Sequence, residues 1–177
     1  MAGMSALVNF GIVIATVAAM ELVARYSHEH IMHGWGWGWH KSHHDIEGGT
    51  FERNDLYAVV FAMPSIALIY FGVAFEHWML WVGVGMTTYG FLYFFVHDAL
   101  VHQRWLFRVL PKGRYLKRLV QAHRLHHAVH GKDDCVSFGF LYAEPIETLK
   151  AKLKAMHGGR FDATAAGLRE GERRKAS

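Results

Sequence analysis

Histidine is the residue type whose spacing in this chain points most directly to chemistry. Ten of the 14 histidines fall into four short blocks, in which two spacings each occur twice. The blocks are His28/His33 and His97/His102, spaced HxxxxH, and His40/His43/His44 and His123/His126/His127, spaced HxxHH. Neutral imidazole is a common ligand of transition metals near neutral pH. We interpret all ten histidines as metal ligands, too many for one ion and about right for two.

Helical geometry separates the two spacings. At about 100° per residue, the three histidines of an HxxHH block share one helix face and can serve one metal or reach a second. The members of an HxxxxH pair lie about 140° apart on an α-helix, which predicts that they do not share a face. Each member of a pair is therefore expected to reach a different part of a common site.

The rest of the composition narrows the ligand chemistry. Cys135 is the only cysteine, which excludes an internal disulfide and a cysteine-bound iron–sulfur cluster. The stretch beginning His28-Glu29 departs from the zinc-protease motif HExxH, and no carboxylate di-iron Glu-x-x-His motif is present. Nitrogen ligation alone leaves iron, zinc and copper open. Glu29, Asp45 and Asp98 adjoin histidine blocks and are candidates for orienting the imidazoles.

Three apolar segments must position these histidines. Residues 5–24, 56–75 and 78–96 are long enough to cross a bilayer, and the last two are close enough to form a hairpin. Asn54-Asp55 is a plausible N-cap for the second segment. Residues 135–143 are too short to span and are expected to be re-entrant or interfacial. The predicted fold is an all-α integral membrane protein of about three to four transmembrane helices, with a cytoplasmic, histidine-rich helical cap that holds a dinuclear metal site.

Charge predicts the orientation of this fold. If the N-terminus lies outside, all four histidine blocks reach one face of the membrane. Eight Lys and Arg and no acidic residue occur between residues 99 and 132, which favours the cytoplasm for that face. No nucleic-acid-binding module accompanies the charge. The sequence GWGWGW before His40 is expected to turn the chain at the membrane interface. Residues 1–156 are expected to form one domain and residues 157–177 a disordered tail.

The blocks and the residues between them resemble a known family. The segments IMHGWGWGWHKSHH, NDLYAVVFA, VHDALVHQRW, AHRLHHAVHGK and CVSFGFLYAEP are similar to those of integral-membrane, histidine-rich di-iron fatty acid hydroxylases and desaturases. Within that family the resemblance is to the bacterial β-carotene 3-hydroxylases, and it covers about residues 21–145. It implies a non-haem di-iron monooxygenase of the bacterial inner membrane that uses dioxygen to convert β-carotene, through β-cryptoxanthin, to zeaxanthin.

The resemblance also implies an external electron source, a ferredoxin with its reductase. This fits the absence of a GxGxxG dinucleotide fingerprint from the sequence. The basic stretch of residues 104–132 is expected to dock that acidic carrier. A fatty acyl or sterol hydroxylase, or a carotenoid ketolase, is the near alternative. A metal transporter or storage protein would need ionisable residues along the spans, and a membrane zinc hydrolase would need a three-histidine site beside a general base.

Overall fold

The computed structural model describes residues 5–45, 51–104, 109–129 and 131–157, and these residues contain helices and no strand. In chain order they are α1 (Ala6–Tyr26), a first π segment (Ser27–Trp35), α2 (Trp37–His44), a 3₁₀ turn (Arg53–Asp55), α3 (Leu56–Ala74), α4 (Met79–Tyr93), a second π segment (Phe94–Val101), α5 (Gly113–His127) and α6 (Ile146–Met156). The expected tail, residues 157–177, lies outside the described residues except for His157.

Three continuous helical stretches are long and apolar enough to cross a membrane: Ala6–Trp35, Arg53–Ala74 and Met79–Val101. The three predicted spans are therefore confirmed as helices, and two of them are longer than expected because π segments extend them. Ser5 caps the first, with its Oγ accepting a hydrogen bond from the Val8 amide. Pro64 is accommodated inside α3. Asp55 does stand at the N-cap of α3, but its side chain makes no capping hydrogen bond there.

Small residues allow α4 to pack between its two neighbours. A Cβ on Gly83 would come within 2.7 Å of the Ile69 side chain on α3, and a Cβ on Gly85 within 2.6 Å of Thr16 on α1. Ser65 of α3 donates to the Gly83 carbonyl at 2.9 Å. In a lipid environment, close packing and interhelical hydrogen bonds of this kind hold helices together. The three spans thereby form a support whose ends carry the histidines.

The histidine-bearing elements lie together at one end of this support. Helix α5 packs on α6 through a core that includes Leu125, Leu149 and Leu153, each 0 % exposed. Residues 135–143, which we call the strap, connect these two helices without regular secondary structure. The strap packs its Phe140 against Met20 and Tyr89 of the spans. The predicted fourth membrane element is thus an irregular segment that contacts both the spans and the histidine cluster.

Candidate metal centre

The structure gathers eight histidines into two compact groups of four. Within each group, one ring nitrogen per residue lies within 4.8 Å of those of the other three. The first group, which we call set A, consists of His28, His33, His40 and His126. The second group, set B, consists of His43, His102, His123 and His127. Three of the four set A residues, His28, His40 and His126, are at most 2 % exposed.

The remaining two predicted ligands lie against these groups. The His97 ring centroid is 4.6 Å from that of His43 and 4.6 Å from that of His102, both in set B. The His44 ring is 4.4 Å from His127 and 5.0 Å from His126, so it contacts both sets. Both ring nitrogens of His44 are buried without a hydrogen-bond partner. A bound cation beside His44 would satisfy such a nitrogen.

The π segments explain the HxxxxH spacing. A π-helix forms i→i+5 hydrogen bonds, which place residues five apart above one another. His28 and His33 consequently share a face and both belong to set A. The second pair is likewise brought together, with the His102 amide donating to the His97 carbonyl at 3.0 Å. The expectation that each pair is split between faces was wrong, because it assumed α-helical geometry.

Each HxxHH block, by contrast, is shared between the sets. In α2, His40 enters set A and His43 enters set B. In α5, His126 enters set A, while His123 and His127 enter set B. Each block thus contributes to both sets, which is the arrangement expected if a block reaches a second metal. Gly34, near the end of the first π segment, has non-helical backbone angles and kinks the chain before α2.

In set A, four nitrogen lone pairs point at one another. Each Nδ1 faces an oxygen acceptor: the Phe138 carbonyl for His28 (3.0 Å), the Lys132 carbonyl for His33 (2.8 Å), the Asn54 side chain for His40 (2.7 Å) and the Val136 carbonyl for His126 (2.9 Å). A neutral imidazole that donates from Nδ1 has an unprotonated Nε2. The Nε2 atoms of His28 and His40 are nevertheless only 3.1 Å apart, as are those of His33 and His126.

Such distances match metal coordination. Two ligand nitrogens about 2.1 Å from a metal, at right angles, lie about 3.0 Å from each other. Set B has similar spacings, since the His123 Nε2 is 3.0 Å from the His102 Nε2 and 2.9 Å from the His127 Nε2. The buried His43 Nε2 has no hydrogen-bond partner. Facing lone pairs repel without a cation between them, so the donor set fits two metal ions.

The protein environment keeps these imidazoles neutral. Burial lowers the pKa of His40 to about 4, of His44 to about 3 and of His102 to about 4. Burial, followed by the neighbouring histidines, also lowers the pKa of His43, His123, His126 and His127. Because a metal binds the unprotonated nitrogen, these shifts favour ligation at neutral pH.

The groups that orient the imidazoles were only partly predicted. Asp98 does face a histidine, with its Oδ1 2.8 Å from the His97 Nδ1. The Glu52 carboxylate faces the His43 Nδ1 at 2.9 Å, a role that sequence reasoning missed. Asp45 instead lies 3.7 Å from Lys41 on the exposed surface, and Glu29 lines a cavity of about 340 Å³ outside the cluster. Adjacency in sequence identified Asp98 but not Glu52, which faces His43 from outside α2.

Aromatic rings close the cluster toward the spans. Phe140 stacks on His28 with centroids 5.2 Å apart and lies 5.4 Å from His97. Tyr93 stacks on His97 at 4.7 Å and contacts Phe140 edge-on at 4.6 Å. Apolar residues from the spans, including Met20, continue from this pair into the bilayer region. The centre is therefore approached from the membrane through an apolar wall.

Comparisons with known proteins agree with this geometry. A family model described as fatty acid hydroxylase matches residues 13–144. The chain is 60% identical to a β-carotene hydroxylase of Pantoea ananas over 88% of this chain and 89% of that protein. It is 59% identical to a β-carotene hydroxylase of Pseudescherichia vulneris, over 86% of both chains, and 55% identical to one of a Paracoccus species, over 82% and 91%. No solved structure matches the chain. A membrane-spanning helical chain with this histidine cluster and these relatives belongs to the fatty acid hydroxylase family.

Proposed function

We propose that this protein is a β-carotene 3-hydroxylase that converts β-carotene, through β-cryptoxanthin, to zeaxanthin. The observation that carries the proposal is the pair of histidine sets at one end of three candidate spans, in a chain about 60% identical to β-carotene hydroxylases over most of its length. A carotenoid is insoluble in water and stays in the bilayer. The apolar side chains of Met20, Tyr89 and Phe140 lie between the spans and the histidines, and we propose that the substrate approaches the centre from this side.

All ten histidines are proposed as ligands of two iron ions. Sets A and B supply four ligands each, and His44 and His97 lie beside them. Bound iron would supply the activation of dioxygen that no side chain can provide. The protein's own contribution is to hold the imidazoles neutral, fix their ring orientation through Nδ1, and exclude water with Phe138 and Phe140.

The reaction requires an electron donor. Inserting one oxygen atom of dioxygen into a C–H bond, with the other leaving as water, consumes two electrons and two protons. We propose a ferredoxin and its reductase as the source. On α5 the exposed Arg114, Lys117 and Arg124 lie on one face and the three histidines on the opposite face. A donor docked there is separated from the ligands by about one helix diameter, roughly 10–12 Å.

The same positive charge supports an orientation in the membrane. We propose that the chain lies in the bacterial inner membrane with residues 1–156 as one domain and the metal centre on the cytoplasmic side. The Lys and Arg of residues 99–132 accompany the histidines, whereas the hairpin at the other end of α3 and α4 contains Glu76 and His77. This distribution follows the positive-inside bias.

Production of pigments tests the function. The protein is expressed in cells that accumulate β-carotene and the carotenoids are separated by chromatography. We expect zeaxanthin with the wild type and none with His126→Ala, which removes a fully buried set A ligand. His30→Ala is the matched control, because His30 is exposed, contacts Tyr26 edge-on and belongs to neither set. Folded wild-type protein that yields no hydroxylated carotenoid contradicts the proposal, and hydroxylated acyl lipids instead would favour a fatty acyl hydroxylase.

A further inference from the structure

Glu21 is a carboxylate within the first candidate span, where a charged group is costly unless it has partners. Its Oε1 accepts three consecutive backbone N–H groups of the strap, from Phe140 (2.9 Å), Leu141 (3.0 Å) and Tyr142 (3.0 Å). Its Oε2 accepts the Tyr89 hydroxyl of α4 at 2.8 Å. One carboxylate therefore ties the strap to two spans.

The strap fits closely around this carboxylate. A Cβ on Gly139 would lie 2.6 Å from the Tyr142 carbonyl oxygen and 2.8 Å from the Glu21 Oε1. Only glycine leaves room for this approach. The strap has no regular secondary structure, so its backbone N–H groups lack the partners that a helix or a sheet would supply. The Glu21 carboxylate accepts three of these N–H groups instead.

The strap in turn orients two set A histidines. Its Val136 carbonyl accepts from His126 Nδ1 and its Phe138 carbonyl accepts from His28 Nδ1. Glu21, in α1, precedes His28, in the first π segment, by seven residues, and both side chains contact the strap from the same span. Among the described residues, the side-chain acids that face Nδ1 atoms at the other end of the cluster, Glu52 and Asp98, are not part of the strap.

We propose that Glu21 is a positioning residue for the metal in set A. By clamping the strap it fixes the carbonyls that set the tautomer of His28 and His126, so that both Nε2 atoms face the metal. The Glu21 carboxylate does not contact the imidazole of His28 or of His126. It acts on them through the backbone of the strap. The inference rests on the two-metal centre of the proposed function and adds that set A needs Glu21 to hold its metal.

Metal retention tests this role independently of turnover. The purified protein is loaded with ferrous iron without oxygen, and iron per chain is measured against a competing chelator. We expect Glu21→Ala to weaken one of the two irons about 10–100-fold, the usual effect of removing a group that orients a ligand, while the other is retained. Glu21→Gln is the matched control. Its amide oxygen still accepts from the strap and its NH₂ can donate to the Tyr89 oxygen, so both irons should be kept.

Double variants identify which iron is lost. Adding His33→Ala, in set A, to Glu21→Ala should release no further iron, whereas adding His127→Ala, in set B, should release the remaining one. Retention of both irons with wild-type affinity, or equal loss of both, overturns the proposal. If Glu21→Ala does not accumulate in the membrane, Glu21→Asp decides by the same measurement, since it keeps the charge but is one methylene shorter. A wild-type chain that binds fewer than two irons would instead refute the proposed centre.

Discussion

Arg104 joins three acidic side chains behind set B. Its guanidinium contacts Asp55 in a bidentate pair at 2.9 and 2.8 Å, Asp98 at 3.5 Å and Glu52 at 3.8 Å. Hydrogen bonding to Asp55 raises the pKa of the guanidinium, which stays charged at every accessible pH. Glu52 and Asp98 hold the Nδ1 atoms of His43 and His97. One cation therefore stabilises the two carboxylates that orient these imidazoles.

Replacing this cation should cost substantial stability. Arg104→Gln leaves three carboxylates without their counter-ion, with side chains 15%, 24% and 31% exposed for Asp98, Glu52 and Asp55. Removing one partner of a buried ion pair costs about 3–5 kcal/mol. Because water reaches part of Glu52 and Asp55, we expect the lower end, about 3 kcal/mol. For a chain of this size that corresponds to a Tm lower by roughly 6–12 °C.

The effect on metal should be confined to set B. With its orienting carboxylates free to move, we expect the iron bound by set B to be held about 10–100-fold more weakly and the iron of set A to be unchanged. Arg104→Lys should give a set B iron affinity between those of the wild type and Arg104→Gln, because an ammonium keeps the charge but loses the bidentate geometry.

The assay combines thermal unfolding in detergent with the chelator competition described above. Arg114→Gln is the control, since Arg114 is exposed on α5. If Arg104→Gln unfolds at the wild-type temperature and retains both irons, the reasoning from the ion network is refuted. Equal weakening of both irons would refute the separation between the sets, because Glu21→Ala and Arg104→Gln are expected to affect different ones.

Two further predictions concern pH and electron transfer. Burial lowers the pKa of His40, His44 and His102 to about 4, 3 and 4, whereas the unfolded chain takes up these protons near pH 6.5. The unfolded state therefore binds more protons below that pH, and moving the metal-free protein from pH 7.5 to 5.5 should cost about 1.4 kcal/mol per histidine, roughly 4 kcal/mol together. An unchanged Tm over this range would contradict it. Reversing the charge of Arg114 and Lys117 to Glu should reduce ferredoxin-dependent turnover more at low salt than at high salt, with iron content unchanged. Turnover independent of these charges would exclude docking on α5.

The sequence predicted the spans and the convergence of the histidines, because both depend on composition and order along the chain. It did not predict the π segments, since the i→i+5 pattern places His28 and His33 together only when other elements stabilise it. It also missed Glu52, which lies outside the histidine blocks and faces His43 from nine positions further along the chain. The importance of Glu21 was equally hidden, because its partners are backbone groups about 120 residues away.

The division of each HxxHH block between the sets has a consequence for assembly. Set A takes ligands from the first π segment, α2 and α5, while set B takes them from α2, α5 and His102. Neither set is complete without α2 and α5, so both proposed metal positions depend on the packing of these two helices. What distinguishes them is support from outside the cluster: the strap held by Glu21 for set A, and the carboxylates held by Arg104 for set B. A shared pair of helices thus sets the spacing of sets A and B, while Glu21 and Arg104 support one set each.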